Sequence, residues 1–288
     1  MLRAMYSGIA GMRGFQTKLD VIGNNIANVN TTGFKAGRVM FKDMLSQTVG
    51  GAARPGANIG GINPRQIGLG STISAIDTLH TQGSAQTTNV PTDMMVNGEG
   101  FFVLSNDGGS TLYYTRAGNF SWDGGTGGSP NLKSLVAPNG MKVQGIAVDA
   151  NGNPINNVVT DIRIPDDAQS FSIDDKGIVS YVDASGNKQY VAAIRIAKFA
   201  NPGGLLKTGD NLYTSTANSG ADNPAQWTDA VAGQKGRGML IVGALEMSNV
   251  DLSNEFAEMI VAQRGFQANT RIITTSDEIL QELVNLKR

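Results

Sequence analysis

"LDVIGNNIANVNTTGFKAGRVMF", Leu19–Phe41, decides how the rest of the chain is read. Apolar residues at helical spacing lead into four asparagines, Asn24, Asn25, Asn28 and Asn30. Thr31-Thr32-Gly33 then breaks the helix and releases basic, extended-looking sequence. Upstream, Met5, Met12, Leu19 and Ile26 recur every seven residues, with Leu2 and Ile9 at the partner heptad position and Phe15, Ile22 and Val29 widening the stripe. The spacing predicts an amphipathic helix over residues 2–28, ~40 Å long at ~1.5 Å per residue. Gly8, Gly11, Gly14 and Gly23 lie inside it, each costing ~1 kcal/mol relative to alanine. A helix so burdened is marginal alone and is expected to order only against partners packed close to its backbone.

The far end repeats the pattern. Leu252, Met259, Phe266, Ile273 and Leu280 are spaced by seven, with Phe256 and Val284 on the adjoining seam and Gln263, Thr270 and Asp277 interrupting it. "TTSDE", Thr274–Glu278, has the form of a capping box that would start a new helix. The heptad runs unbroken from Ile273 to Leu280, however, which predicts one helix of ~35 residues and ~52 Å.

Between the ends the pattern changes. Residues 46–70 are punctuated by glycine, carry Pro55 and Pro64, and lack a period, so 31–70 is expected to be an extended arm or linker. "DMMVNGEGFFVLSNDGGSTLYYTRAGNFSWDGG" and "FSIDDKGIVSYVDASGNKQYVAAIRIAKF" set short apolar and aromatic runs between NG, NDGG and DGG turns. Hairpins should therefore dominate 71–248, as one β-rich outer region or two subdomains, with exposed loops at 123–130 and 216–226. The expected fold is α+β: residues 1–30 and 249–288 form a coiled-coil-like helical core, and the β region is inserted between them.

Composition narrows the function. Lys plus Arg is 23 and Asp plus Glu is 24 in 288 residues, so no overall field selects nucleic acid or an anionic membrane. Locally, residues 1–45 carry +4 and residues 246–288 carry −3, so the two termini can attract each other, within one chain or between neighbours. The absence of cysteine removes disulfides and thiolate chemistry. Glycine, at 37 residues, is well above the ~7% norm, and charged residues, at 16%, are below ~25%, which points to many turns and a weakly charged surface. Residues 1–20 sustain no leader-like apolar run, and no window reaches ~18 apolar residues.

Catalytic constellations are sparse. His80, the sole histidine, lies on an expected strand or turn and is read as structural. "DANGNP", Asp149–Pro154, resembles the start of a calcium loop, but Pro154 stands where glycine is needed and Thr160 where a bidentate glutamate belongs, so it is read as a turn. "NGEGFF" lacks the third glycine of a dinucleotide fingerprint, and "GLGSTIS" lacks the glycine after serine of a nucleophile elbow. No cofactor or metal site is assigned. Nucleic-acid binding is disfavoured by the scatter of the basic residues, and membrane insertion by the few cations on the first helix.

"MYSGIAGMRGFQTKLDVIGNNIANVNTTGFKAGRVMFKDM" and "GALEMSNVDLSNEFAEMIVAQRGFQANTRIITTSDEILQELVNLKR" resemble the two terminal signatures of the bacterial flagellar axial proteins, the rod and hook subunits. "GEGFFVL", "YTRAGNF" and "GDNLYTS" resemble the β domain of that family, so the likeness spans nearly the whole chain. "FKDMLSQT", "GLGSTI" and "SNVDLSNEF" look most like a hook subunit, a torque-transmitting flexible joint, with a distal rod subunit as the rival and a secreted adhesin as a remoter alternative.

The resemblance implies a helical homopolymer located extracellularly in the flagellum. The chain would be exported by the flagellar type III apparatus without a cleaved leader. Its implied partners are rod and hook–filament junction proteins, with a hook cap during assembly. The resemblance further implies that Met5, Ile9, Met12, Leu19, Ile22, Ile26, Leu252, Phe256, Met259, Phe266, Ile273, Leu280 and Val284 pack between subunits. Asn24, Asn25, Asn28, Gln263 and Asn269 would then fix register by hydrogen bonding, although one or two of the first three suit plain helix capping. Phe41 and Leu45, in "FKDML", resemble the Phe-x-x-x-apolar motif presented to the export gate, with arm packing as the equal alternative.

Overall fold

A computed structural model of the chain describes residues 2–286 apart from 56–59, 125–131, 221 and 223–226. Of the expected loops, 123–130 falls mostly and 216–226 partly outside the described residues. The architecture is α+β, with two α-helices among the described residues, one at each end, and antiparallel strands between them. The chain divides into two compact units: residues 1–27, 36–79 and 250–288 in the first, and 28–35 and 80–249 in the second.

In the first unit, α1 (Leu2–Ala27) and α2 (Leu252–Asn285) lie side by side, antiparallel, since Gly8, Gly11, Phe15 and Lys18 meet Ile273, Asn269, Gly265 and Glu258 in turn. Their contacts account for some of the glycines, though not for Gly23, which has nothing within 4 Å of a Cβ position, nor for Gly14, which faces Phe41. A Cβ at Gly11 would come within 2.9 Å of Asn269 Nδ2, one at Gly265 within 2.6 Å of the Phe15 ring, and one at Gly8 within 3.6 Å of Ile273. The backbones approach where side chains are missing, so the helix-propensity penalty is offset by close packing. Lys18 pairs with Glu258 at 3.0 Å, one instance of the opposite terminal charges meeting within the chain.

Helix α2 passes through "TTSDE" without a break, because Thr274 and Thr275 bond back to the Arg271 carbonyl and Ser276 Oγ bonds to that of Ile272. At its start, Asp251 accepts from the Ser253 amide.

The arm is more regular than its composition suggests. Strand β1 (Gly37–Asp43) pairs antiparallel with β4 (Ser71–Thr78), and β2 (Ser46–Gly50) with β3 (Arg65–Gly68), giving two successive two-stranded ribbons. Their side chains are mostly exposed on both faces, so no apolar period marks them in the sequence.

The second unit is built on a branched antiparallel sheet. Its main path runs Ser170–Ile173, Ile178–Val182, Lys188–Ile194, Lys142–Val148, Phe101–Ser105, Leu112–Thr115, Leu212–Thr214 and Leu206–Gly209. Phe101–Ser105 is buried throughout, with Phe102 and Leu104 in the main core beside Val96, Leu135 and Ile194, and Phe101 and Val103 against Tyr114, Phe199 and Tyr213. A strand buried on both faces reads as a continuous apolar run, which is why "GEGFFVL" shows no alternation.

The glycines of that motif serve the turn. Gly98 and Gly100 have φ of +114° and +141°, and a Cβ at Gly100 would strike Ile196. "DANGNP" is one of three hairpin turns of one design. In each, an aspartate (Asp149, Asp174 or Asp183) bonds across the loop, and its carbonyl accepts from a glycine amide three residues on, at 2.7–2.8 Å.

Candidate functional site

The residues singled out from the sequence lie mainly on the two helices. On α2 the buried and half-buried positions are 255, 259, 262, 265, 266, 269, 270, 273, 276 and 280, and all but 265 and 270 follow one seam spaced alternately by four and three. Met259, Phe266, Ile273 and Leu280 thus stand on the seam turned toward α1, as the contacts at Gly265, Asn269 and Ile273 indicate. The second position of this seam is not the expected one. Glu255, Ala262, Asn269 and Ser276 fill it, and Phe256 and Val284 point away, 50% and 65% exposed. Small and polar residues at alternate seam positions permit close backbone approach, in place of the interlocked apolar knobs of a coiled coil.

On α1, Ile22 is buried while Met5, Ile9, Met12, Leu19 and Ile26 are half-buried. Leu252, Phe256, Ile260, Val261, Ile272, Ile279, Leu283 and Val284 are exposed on α2, and Tyr6 is exposed on α1. Apolar side chains thus occupy both the seam and the outward surface of α2, more than one helical neighbour can cover.

The asparagines divide. Asn25, 2% exposed, faces β1 and mimics a neighbouring strand. Its Oδ1 accepts from the Gly37 amide and its Nδ2 donates to the Gly37 carbonyl, both at 2.9 Å, with a further bond to Glu255 Oε1 at 3.1 Å. Expected to bond to an adjoining copy, Asn25 instead uses its carboxamide within its own chain, where burial demands partners for both ends of the amide. Burial raises the pKa of Glu255, and the Asn25 bond offsets that only in part.

Asn28 bonds to Thr31 through both side chain and carbonyl, closing the turn after α1. Gly33, at φ +68°, lies so close to the Arg116–Ala117 backbone that a Cβ would clash. Asn24 and Gln263 are on exposed positions, and Asn269 is half-buried against Gly11. Phe41 packs its ring against Gly14 and, at 5.9 Å between centroids, Phe15, while Leu45 is 82% exposed.

Reading the sequence missed a buried ionic cluster in the second unit. Lys35 Nζ and Glu246 Oε1 pair at 2.6 Å with both side chains fully buried, and Arg116 Nη1 approaches Glu246 Oε2 at 3.3 Å. Lys35 also donates to the Thr81 carbonyl at 2.7 Å, and Arg116 to that of Gly98 at 2.7 Å. Burial lowers the pKa of both cations, and Glu246 opposes it.

Beside them, His80 lies 5.6 Å from Phe101 and 5.7 Å from Tyr213, ring centre to ring centre. Burial, followed by the charges of Lys35, Arg116 and Lys207, pulls its imidazole down to about 4, so His80 is neutral at pH 7. Lys35 and Glu246 are 211 residues apart, and no local pattern links them.

Among the described residues, no group of three or more His, Cys, Asp or Glu could hold a metal, and no helix is long and apolar enough to cross a membrane. Terminal helices presenting more apolar surface than they cover for each other, joined by an inserted antiparallel sheet, define a structural subunit built for assembly. Three family models match in chain order: "Flagella basal body rod protein" over residues 5–35, "Flagellar hook protein FlgE/F/G D1 domain" over 95–181, and "Flagellar basal body rod FlgEFG protein C-terminal" over 241–286.

The chain is 54% identical to the flagellar basal-body rod protein FlgG of Bacillus subtilis, with all of both chains covered. It is 37% identical to the FlgG of Borreliella burgdorferi, again over both full chains. To the flagellar hook protein FlgE of Treponema pallidum it is 30% identical over a 477-position alignment that covers both chains. The chain belongs to the flagellar rod and hook axial protein family. Members are structural components of the flagellum rather than enzymes, and membership implies self-polymerisation with flagellar assembly partners.

Proposed function

We propose that the chain is a distal rod subunit of the flagellar basal body, in place of the hook subunit that the short motifs suggested. The supporting observation is the identity: 54% to a rod protein of matching length, against 30% to a hook protein over a much longer alignment. Of the short motifs, "SNVDLSNEF" lies within residues 241–286, where the matching family model is described as "Flagellar basal body rod FlgEFG protein C-terminal".

In this reading, copies associate through the outward apolar positions of α2, Phe256, Ile260, Ile272, Ile279 and Val284, and through the half-buried Met5, Ile9 and Met12 of α1. A contact that repeats without closing gives a helical tube. Gln263, on the exposed surface of α2, would help to fix register between copies. The other partners are the neighbouring rod and hook subunits and the export apparatus, to which Phe41 and Leu45 would present the Phe-x-x-x-apolar motif. Gold-labelled antibody on purified hook–basal bodies tests the assignment: label on the straight segment below the hook supports it, and label along the curved hook overturns it.

A further inference from the structure

Glu246 takes no part in the proposed assembly surface. The chain passes between the two units at 27/28, 35/36, 79/80 and 249/250, and on the second unit's side the stretches next to these passages converge on this one residue. Its carboxylate holds Lys35, beside one passage, and accepts from the Gly83 amide at 3.0 Å, beside another. The Glu246 carbonyl accepts from the Gly33 amide at 2.7 Å. Around it, Ala244–Glu246 pairs with Ala85–Thr87, the Met247 amide donates to the Ser84 carbonyl at 2.9 Å, and Asn249 Nδ2 donates to Thr81 Oγ1 at 2.8 Å. Thr81 in turn accepts from Lys35. Among the described residues, Glu246 is the sole carboxylate within ion-pair distance of Lys35 or Arg116.

We propose that Glu246 is a lock: its carboxylate makes the stretches 28–35, 80–84 and 244–249 open and close as one cooperative unit. Two cations buried at 0% and 4% exposure share one acid. Lifting any of the three stretches admits water to that acid and weakens the hold on the other two, so the stretches cannot loosen separately. The core behind Phe102, Leu104 and Ile194 is apolar and meets the cluster only at its margin, where Arg116 donates to the Val96 carbonyl at 3.3 Å, so the lock opens while the strand Phe101–Ser105 stays closed. The inference rests on the assembly reading in one respect: fixing the roots of both terminal segments matters for a subunit whose terminal helices are held by neighbours.

Hydrogen exchange on the full-length, unassembled chain tests the proposal. In Glu246→Gln, the amides of Gly33, Gly83 and Met247 should exchange at least tenfold faster, all together, while those of Phe102 and Leu104 keep their protection. Acceleration confined to 244–249, or an equal rise across the sheet strands, overturns it. Should that variant not fold, Glu246→Asp, which keeps the charge on a shorter reach, must give the same three-stretch pattern at smaller amplitude, and its absence there is equally decisive. The measurement does not require polymer, so its failure is separate from failure of the rod assignment, which gold labelling reads.

Discussion

Phe256→Asp puts the proposed assembly surface to quantitative test. Phe256 is 50% exposed in the chain. Full burial of a phenylalanine is worth about 1.5–3 kcal/mol, so covering the remaining half in a polymer contributes about 1 kcal/mol. A carboxylate forced into the same contact without a partner adds a penalty of about 2–3 kcal/mol. The sum, about 3–4 kcal/mol per contact, corresponds to a rise of roughly 140- to 700-fold in the concentration needed for assembly, at about 1.4 kcal/mol per decade. In the free chain the substitution falls on an exposed helical position, so stability should change by no more than about 0.5 kcal/mol. Sedimentation over a concentration series gives the assembly threshold, and circular dichroism melting gives the stability. Tubes forming at the wild-type threshold would refute the reasoning, as would a variant that no longer folds as a monomer.

Further perturbations separate the two units. Met259→Pro removes a helix hydrogen bond on the α1-facing seam at a cost of about 3 kcal/mol or more; it should abolish assembly while the near-UV signal of the β unit persists, and normal tubes would count against the scheme. Gly118→Ala drives a Cβ into the Met94 carbonyl, so it should unfold the β unit, seen as loss of Trp122 fluorescence contrast. His80 stays neutral in the fold while its unfolded form protonates below about 6.5, so the folded chain binds fewer protons between pH 6.5 and 4. The stability this neutrality confers is complete above pH 6.5 and is lost as the pH falls toward 4. The shift corresponds to about 3 kcal/mol at most, and nearer 2 after allowance for solvent reaching the ring. Denaturant melts across that range should show the decline, and His80→Phe, which fits the same aromatic surroundings, should remove most of it.

What the sequence discloses follows the range of its physics. Heptad spacing at Met5, Met12, Leu19 and Ile26 and at Met259, Phe266, Ile273 and Leu280 marks the helices, because a helix repeats its contacts every few residues. The turns "DANG", "DDKG" and "DASG" mark the hairpins, because each positions its own aspartate and glycine. The seam register is less legible: Phe256 looks like a core residue by type, yet the backbone approach allowed by Gly11 and Gly265 turns Ala262, Asn269 and Ser276 inward instead. The ribbons of residues 37–78 are silent because neither face is buried enough to impose alternation. Asn25 was legible as a polar residue with a task, but its partner, Gly37, becomes its neighbour only after the chain has left and re-entered the first unit. The Lys35–Glu246–Arg116 cluster is invisible for a related reason, since its members meet only when residues far apart in the chain fold together.

The chain has no cysteine, so a single introduced thiol reports on one position without background. Val284→Cys places it at an α2 position 65% exposed in the free chain. The decisive measurement is the rate at which a water-soluble maleimide labels that thiol before and after assembly. Rapid, complete labelling of the free subunit and a slowing of at least 100-fold in tubes is the predicted result. Equal labelling in both states, or a thiol already shielded in the isolated chain, would contradict the claim that the helices are completed by other copies.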